Sequence, residues 1–450
     1  MRLRKTITTI VATAILLAGW QLFAVIANQP ELIPSLPRLV RTLCEWLVSG
    51  SFYQSVGATI LRGVLGMSIS FVCAIGMAGL FARFEWVYEL FRPLLAIMRS
   101  IPVISFILLA LIFLNPESIP LMIAFLTMFP LLTENLTRGI LDLRPGLSIM
   151  ARQFHIKRSN VLFQIIYPQL KPFLYSGLAS AAGFGWRAII MGEVLSQCAF
   201  GIGSEMKRAQ NFIAVPELLA WTIVAVFISF FFDKGISKVA DITPKISFAN
   251  EDQTIPTPTL SVLDTKDISY QYGIQHFSHS FQKGIIYGIS APSGKGKTTL
   301  LNLIGGILLP TEGEIHPTRH FGIATIFQQP QLLPHLTAEE NIILSSFLTE
   351  EKARRIAQKH LQEMEMEPFG NRYPKELSYG QQQRIAIARA LAYPSPLLLM
   401  DEPFKGLDEA LSHRIIERIR EKQMKEERII LFTSHNPDEI RLLADEVIYL

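Results

Sequence analysis

Charge is scarce in this sequence. Only 18% of its 450 residues are Asp, Glu, Lys or Arg, against about 25% in an average soluble protein. Half are hydrophobic, and the mean hydropathy is +0.31. That balance points to a membrane protein. Cysteine is scarce too: Cys44, Cys73 and Cys198 fit neither a metal-ligand spacing nor a disulfide framework, and read as scattered, inert thiols. Nor is there a surplus of one sign, since a formal charge of +4 spread over this length offers no basic patch for a polyanion and excludes nucleic acid as a partner. The length itself exceeds one ordinary core and predicts two or three domains.

What the first half does contain is long apolar runs, each near the ~20 residues that cross a bilayer as a helix. Six spans are expected, near residues 8 to 27, 60 to 82, 93 to 114, 118 to 137, 172 to 196 and 213 to 232. The first follows "MRLRK" as a signal peptide would, but its length and the runs behind it predict a retained helix. Arg2, Arg4 and Lys5, together with Arg138, Arg144, Arg152, Lys157, Arg158 and Lys171, mark the cytoplasmic sides. By contrast "NPESIP" has no basic residue, and the loop after the fifth run has only Lys207 and Arg208. An even number of spans then leaves both termini in the cytoplasm, with membrane lipid around the bundle.

Beyond Asp233 the apolar runs stop, and "SFANEDQTIPTPTLSV" brings polar residues and spaced prolines. The expected division is a membrane domain at 1–233, a linker at 234–260 with a reach of roughly 30 Å as a flexible coil, and a soluble domain at 261–450. In the last, short apolar runs such as "GIIYGIS", "LLLM" and "RIILFTS" alternate with helical stretches, the pattern of an α/β sheet domain.

Chemistry enters with "APSGKGKTTL", residues 291 to 300. A buried strand, a glycine-rich turn and a helix start together aim backbone N–H groups and a positive dipole end at phosphates. Gly294 and Gly296 permit close approach, Lys297 reaches the β/γ-phosphates, and the Thr298 hydroxyl binds Mg²⁺. Ala291 stands where the pattern has glycine; it costs about 1 to 2 kcal/mol if its φ is positive and nothing if it is not. Further on, "LSYGQQQR" opens a helix with Ser378 and Gly380, and "PLLLMDEP" ends a buried strand in Asp401 and Glu402. The first acid is placed to hold a metal through water, the second to orient an attacking water. Gln328 in "TIFQQP" and His435 in "LFTSHNPDE" each follow a strand.

In this order these motifs, with the "GLD" loop at Gly406 to Asp408, resemble the nucleotide-binding domain of ABC transporters from about residue 260 to 450. The resemblance implies an α/β P-loop ATPase using ATP and Mg²⁺. It makes Glu402 the catalytic base and His435 the γ-phosphate sensor, and Thr298, Gln328 and Asp401 the metal ligands. It assigns nucleotide contacts to Tyr272 (or Tyr270), Ser293, Gly294, Gly296, Lys297, Thr298, Thr299, Gln328 and Asp408. Ser378, Gly380 and Gln381 would contact ATP held by a second subunit, which implies a homodimer.

The segments "RSIPVISFILL", "MFPLLTENLTRG" onward and "WRAIIMGEVLSQ" resemble the permeases of type I ABC importers, in particular the nitrate, taurine and sulfonate group. The fold expected is thus an all-α polytopic membrane domain of six helices fused to a C-terminal ATPase domain. That family's loop pattern, E-A-A-x-x-x-G onward to I-x-L-P, falls on Ile149 to Pro168, with Ala151, Ile165 and Pro168 matching and Ile149, Met150 and His155 departing. Resemblance implies coupling to the ATPase through this loop at 148–168. It also implies an extracytoplasmic solute-binding protein as partner, and a small solute: an organic or inorganic anion or a vitamin precursor. Arg187 and Glu193, in the small-residue-rich fifth run, either line the solute path or sit at the interface. The rival readings are an exporter half-transporter and a membrane-bound ATPase that senses without transporting.

Overall fold

The computed structural model describes residues 2–240, 244–248, 260–271, 273–292, 294–317 and 322–450. The chain folds into two compact units, the first Met1–Leu143 with Gln169–Thr243, the second Arg144–Pro168 with Pro244–Leu450.

The first unit carries helices α1 (Arg2–Ala27), α2 (Leu36–Trp46), α3 (Gly50–Arg83), α4 (Glu85–Ser100), α5 (Val103–Phe113) and α6 (Ile119–Leu141). After α7 (Pro145–Gln153) and α8 (Arg158–Asn160) come α9 (Tyr167–Ser196), α10 (Ile202–Asn211) and α11 (Val215–Ala240). Four helical stretches are long and apolar enough to cross a membrane: Gly50–Arg83, Pro116–Leu141, Arg158–Ser196 and Val215–Val239. The expected third span is instead the pair α4 and α5, bent by 94°. Pro102 causes the break, because a proline holds the residue before it in extended backbone, and Ile101 is extended at φ −69° and ψ 130°. Among the described residues of α1 the apolar stretch is Val11–Ala27, shorter than a full span. Among the described residues the count is therefore four, or five if the bent pair crosses as one, where six are expected.

Small side chains hold this bundle together. The buried seam of α3 is Ser55, Thr59, Gly63, Gly66, Ser70, Ala74 and Ala78, spaced three or four apart, so its backbone approaches α6 closely. A Cβ on Gly66 would lie 2.6 Å from that of Ala124, and one on Gly185 of α9 would meet Met128. Glu193 is fully buried. Thr59 Oγ1 and Arg62 Nη1 donate to its Oε1 at 2.9 and 2.8 Å, and Gly203 N to its Oε2 at 2.9 Å. Arg62 also donates to Glu117 at 2.6 Å and to the Phe200 carbonyl at 2.7 Å. Breaking so buried a pair from one side costs about 3–5 kcal/mol, which marks Glu193 as a structural anchor of the turn before α10.

In the second unit a three-stranded antiparallel sheet, ordered β2–β1–β4, accompanies a five-stranded parallel sheet, ordered β5–β6–β7–β3–β8. The strands are β1 (Val262–Tyr270), β2 (Ile274–Gln282), β3 (Ile286–Ser290), β4 (Glu312–His316), β5 (Ala324–Ile326), β6 (Leu397–Asp401), β7 (Ile429–Thr433) and β8 (Glu446–Tyr449). Every residue of β6 and β7 is buried, as parallel strands covered on both faces require. The helices are α12 (Lys297–Ile304), α13 (Ala338–Ile343), α14 (Glu350–Glu363), α15 (Tyr379–Ala392), α16 (Glu409–Glu426) and α17 (Pro437–Leu443).

Two boundaries differ from the sequence reading. Residues 144–168, expected inside the membrane domain, belong to the second unit, where Leu147, Met150, Ala151, Phe154 and Ile156 of α7 and its exit join one core with Leu333, Leu336 and Tyr393. The linker expected at 234–260 is not a free coil where it is described. Its start continues α11, and Ser247 exchanges two hydrogen bonds with the Asn160 side chain, at 2.8 and 3.0 Å. His155, at the glycine position of the loop pattern, has φ 46°, and Ile156 N closes on Ala151 O at 2.9 Å. This is the left-handed helix stop that glycine fills most easily, so the departure changes the residue while keeping the conformation.

Candidate functional site

Of the expected residues, Thr298, Gln328, Asp401, Glu402 and His435 converge at the C-terminal edge of the parallel sheet, where such sheets bind ligands. Strand register does the first part of the work. Asp401 pairs with Thr433 across β6 and β7, and Thr433 Oγ1 donates to Asp401 Oδ1 at 2.8 Å. On the other side Thr298 Oγ1, in the first turn of α12, donates to Asp401 Oδ2 at 2.9 Å. Burial pushes the Asp401 carboxyl above its ordinary range, against these two hydrogen bonds and the charge of Lys297.

Glu402 follows with φ 48°, a left-handed backbone that a glutamate adopts only where its surroundings impose it. Its amide donates to Thr433 Oγ1 at 3.1 Å. Its carboxylate gathers three groups: Gln328 Nε2 and His435 Nε2, each 3.2 Å from Oε1, and Lys405 Nζ, 3.1 Å from Oε2. Partial burial pushes this carboxyl up, but Lys405, Gln328 and His435 outweigh it and hold it below the ordinary value. Glu402 is therefore ionised at neutral pH.

The loop between β3 and α12 brings glycines where the backbone demands them. Gly294 has φ 80° and Gly296 φ 88°; Ala291 is not among the positive-φ residues, so alanine costs nothing there. A Cβ on Gly296 would stand 2.6 Å from the Gly273 carbonyl. Lys297 is buried, and its Nζ donates to the carbonyls of Ala291 and Pro292 at 2.7 and 3.3 Å. Thr299 is half-buried in the same turn. Tyr272 and Ser293 lie outside the described residues; Tyr270, the alternative aromatic, packs on the core beside Leu263 and Ile268.

Ser378 caps α15, accepting from Gln381 N at 3.3 Å while Gln381 Oε1 accepts from Ser378 N at 2.9 Å. Gly380 is needed there because a Cβ would lie 2.5 Å from the Gly406 carbonyl. Asp408, expected to touch nucleotide, is engaged as the N-cap of α16, accepting from Leu411 N at 2.9 Å.

Several participants escape motif reading. Lys405 stands one turn beyond Glu402, and Tyr379 Oη donates to the Gln328 carbonyl at 2.7 Å. Beyond Gln328 a buried arginine continues the connection. Arg389 Nη1 donates to the Gln331 carbonyl at 2.6 Å, and its guanidinium lies 5.2 Å from the centroid of the Phe154 ring. Burial lowers this guanidinium to about 10, and its Nε and Nη2 have no hydrogen-bond partner. Gln153 Nε2 donates to the Gly305 carbonyl at 2.7 Å, while Ile323 N donates to Gln153 O at 2.9 Å. Within the second unit Glu402 is thus connected to Phe154 by way of the Gln328 side chain, the backbone from Gln328 to Gln331, and Arg389.

Two family models match. Residues 274–405 fit the ABC transporter model, and residues 68–233 fit that of a binding-protein-dependent transport system inner membrane component. The chain carries an ABC domain and a transport-system membrane domain. It fuses a permease half and an ABC half in one polypeptide. Its ABC half is 35% identical over 189 residues to an Fe(3+) ions import ATP-binding protein of Rhizobium etli, covering 39% of this chain and 54% of that one. It is 37% identical over 186 residues to a carnitine transport ATP-binding protein of Listeria monocytogenes, covering 38% and 47%. The chain spans about half the length of the curated relatives it matches. Among solved structures, a dimeric ATP-binding cassette bound to ADP and phosphate is 31% identical, with 42% of this chain and 94% of that chain covered and a TM-score of 0.39. Among the described residues of this chain, no three His, Cys, Asp or Glu side chains cluster as metal ligands. Thr298 and Asp401 instead offer two oxygens 2.9 Å apart, a donor set that fits Mg²⁺, which takes most of its ligands from phosphate and water.

Proposed function

We propose that this chain hydrolyses ATP at the edge of its parallel sheet and uses the energy to import a small solute, acting as a homodimer in the plasma membrane with both termini cytoplasmic. The observation that carries the reading is the constellation around Glu402: an ionised carboxylate fixed by Gln328, Lys405 and His435 beside the Thr298–Asp401 pair.

The loop N–H groups and the start of α12 hold the phosphates, and Lys297 exchanges the Ala291 and Pro292 carbonyls for phosphate oxygens. Thr298 and Asp401 would hold Mg²⁺, which neutralises charge on the phosphates. Glu402 then accepts a hydrogen bond from the attacking water, while Gln328 and His435 sense the γ-phosphate through their contacts with Glu402. Ser378, Gly380 and Gln381 at the start of α15 serve ATP bound by the second copy. Since Ala291 carries no backbone strain, Ala291→Gly is expected to change steady-state ATP turnover by less than about twofold.

Import is favoured over export by the junction between α3 and α4, where only Phe84 separates Arg83 from Glu85. An exporter needs a long helical extension there. A solute-binding protein outside the membrane is the expected partner, in keeping with the family description of residues 68–233. The relatives' names, one for Fe(3+) ions and one for carnitine, do not choose the cargo. The test compares solutes in spent medium of cells expressing the intact chain with those expressing Glu402→Gln. A compound depleted only by the intact chain supports import and names the cargo; one that accumulates outside overturns it in favour of export.

A further inference from the structure

The ABC half holds a second cleft, at the opposite edge of the parallel sheet from Glu402. Pro396 immediately precedes β6 and Arg428 immediately precedes β7, and the run from Pro396 to Glu402 spans roughly 20 Å at ~3.3 Å per residue. Beside these strand starts, between α14 and the end of α16, lies an opening of about 480 Å³, within the roughly 300–1,000 Å³ of small-molecule sites.

One wall is apolar, made by Ile356, Leu391, Pro394 and Pro396. The rest is cationic: Lys283, Lys359, Lys422 and Arg428 line the cleft with two carboxylates, Glu426 and Glu427. Glu427 is taken by Lys283 at 2.8 Å. Glu426 serves two cations at once, Arg428 Nη2 at 2.5 Å from its Oε2 and Lys422 Nζ at 3.4 Å from its Oε1. Glu363, outside the lining, lies 2.7 Å from His360 Nδ1 and 3.8 Å from Lys359 Nζ. Even with Glu363 counted, positive charge is in excess. Lys422 Nζ also lies 3.2 Å from His360 Nε2, and burial with the charges of Lys422 and Lys359 lowers His360 to about 3, so this ring is a neutral acceptor. Burial lowers Lys422 and Arg428 as well, the mark of cations drawn out of water without enough opposite charge.

The cleft is also preformed. Gln423 donates to the Arg428 carbonyl and accepts from Arg428 N at 3.1 Å, and Glu427 holds left-handed backbone at φ 48°. Together they fix the turn from α16 into β7.

We infer that this cleft binds a small, soluble, phosphate-bearing organic molecule, its phosphate between Lys359, Lys422 and Arg428 and its apolar body against Leu391, Pro394 and Pro396. A phosphate monoester carries up to two charges and three acceptor oxygens, enough to engage all three cations, where a carboxylate has two oxygens and one charge. The inference stands apart from the nucleotide chemistry at the other edge and from import.

The test uses the full chain in nanodiscs, with Mg²⁺, ATP and vanadate occupying the nucleotide site, and pyridoxal 5′-phosphate as probe: a phosphate on a flat ring that carries an aldehyde. The aldehyde condenses with a lysine amine, releasing water, and borohydride reduces the imine to a stable secondary amine that peptide mass spectrometry locates. Lys422 is expected to be half-labelled at a probe concentration at least about tenfold below that needed for the exposed Lys266 and Lys375. Pyridoxal, which lacks the phosphate, should show no such preference. Lys359→Gln, at a side chain that is 70% exposed, should leave ATP turnover unchanged and lower the preference at least about threefold. Glycerol 3-phosphate in solution should protect Lys422, and phosphatidate in the nanodisc should not. Labelling of Lys422 no earlier than Lys266, equal labelling by pyridoxal and its phosphate, an unchanged preference in Lys359→Gln, or protection by phosphatidate alone would each overturn the inference.

Discussion

Glu402→Gln is expected to bind ATP within a few-fold of the intact chain and to turn it over about 10²- to 10⁴-fold more slowly, the usual span for losing a positioned general base. The substitution preserves shape while exchanging one carboxylate oxygen for an amide nitrogen. A group able to accept a proton becomes one that cannot, and the ammonium of Lys405, now 3.1 Å from Oε2, loses its counter-charge. Phosphate contacts from the loop at 291–298 are untouched, so binding survives. Single-turnover hydrolysis beside equilibrium ATP binding reads both quantities on one preparation. Turnover within twofold of the intact chain would remove Glu402 from the chemistry and shift attention to His435.

Phe154→Ala is expected to separate the two activities, lowering solute uptake at least tenfold while ATP turnover stays within about threefold. Phe154 is fully buried, with Arg389 over its face and Tyr393 against its edge at 5.2 Å between centroids. Truncating such a ring costs about 3–5 kcal/mol, and 3 kcal/mol is more than a hundredfold in any equilibrium between a seated and an unseated segment. The Glu402 constellation makes no direct contact with this ring, so hydrolysis is spared. The measurement is uptake and ATP turnover in the same proteoliposomes, with Phe154→Leu expected to recover most of the uptake. A proportional fall of both activities in Phe154→Ala, unrelieved by leucine, would mean that the ring only holds the fold together.

Much of the ABC half was legible because its chemistry resides in contiguous motifs. The loop at 291–298, the acids ending β6 and the histidine after β7 need only local spacing and a buried parallel strand to be recognised. Asp408 makes a contact that the motif did not announce, since an aspartate before a helix is equally an N-cap, and it caps α16. Left-handed backbone at Glu402 and His155 was equally hidden, for neither residue type announces it. In the permease half, hydropathy alone merged α4 and α5 into one span, although Ile101–Pro102 carries the break. Charges in the fifth run left Glu193 and Arg187 indistinguishable, because pairing depends on Arg62, far away in sequence.

The chain enters the second unit at Arg144, leaves after Pro168 and returns at Pro244. An ABC half cut out at the apparent boundary near residue 260 would therefore lack Leu147, Met150, Ala151, Phe154 and Ile156, all buried against it in the intact chain. Such a fragment would present an open apolar trough and a stranded Arg389 to solvent. Poor yield or self-association of the truncated piece would then report on the missing permease segment. Dissection is better attempted with residues 144–168 supplied as a peptide in trans than with the fusion simply cut in two.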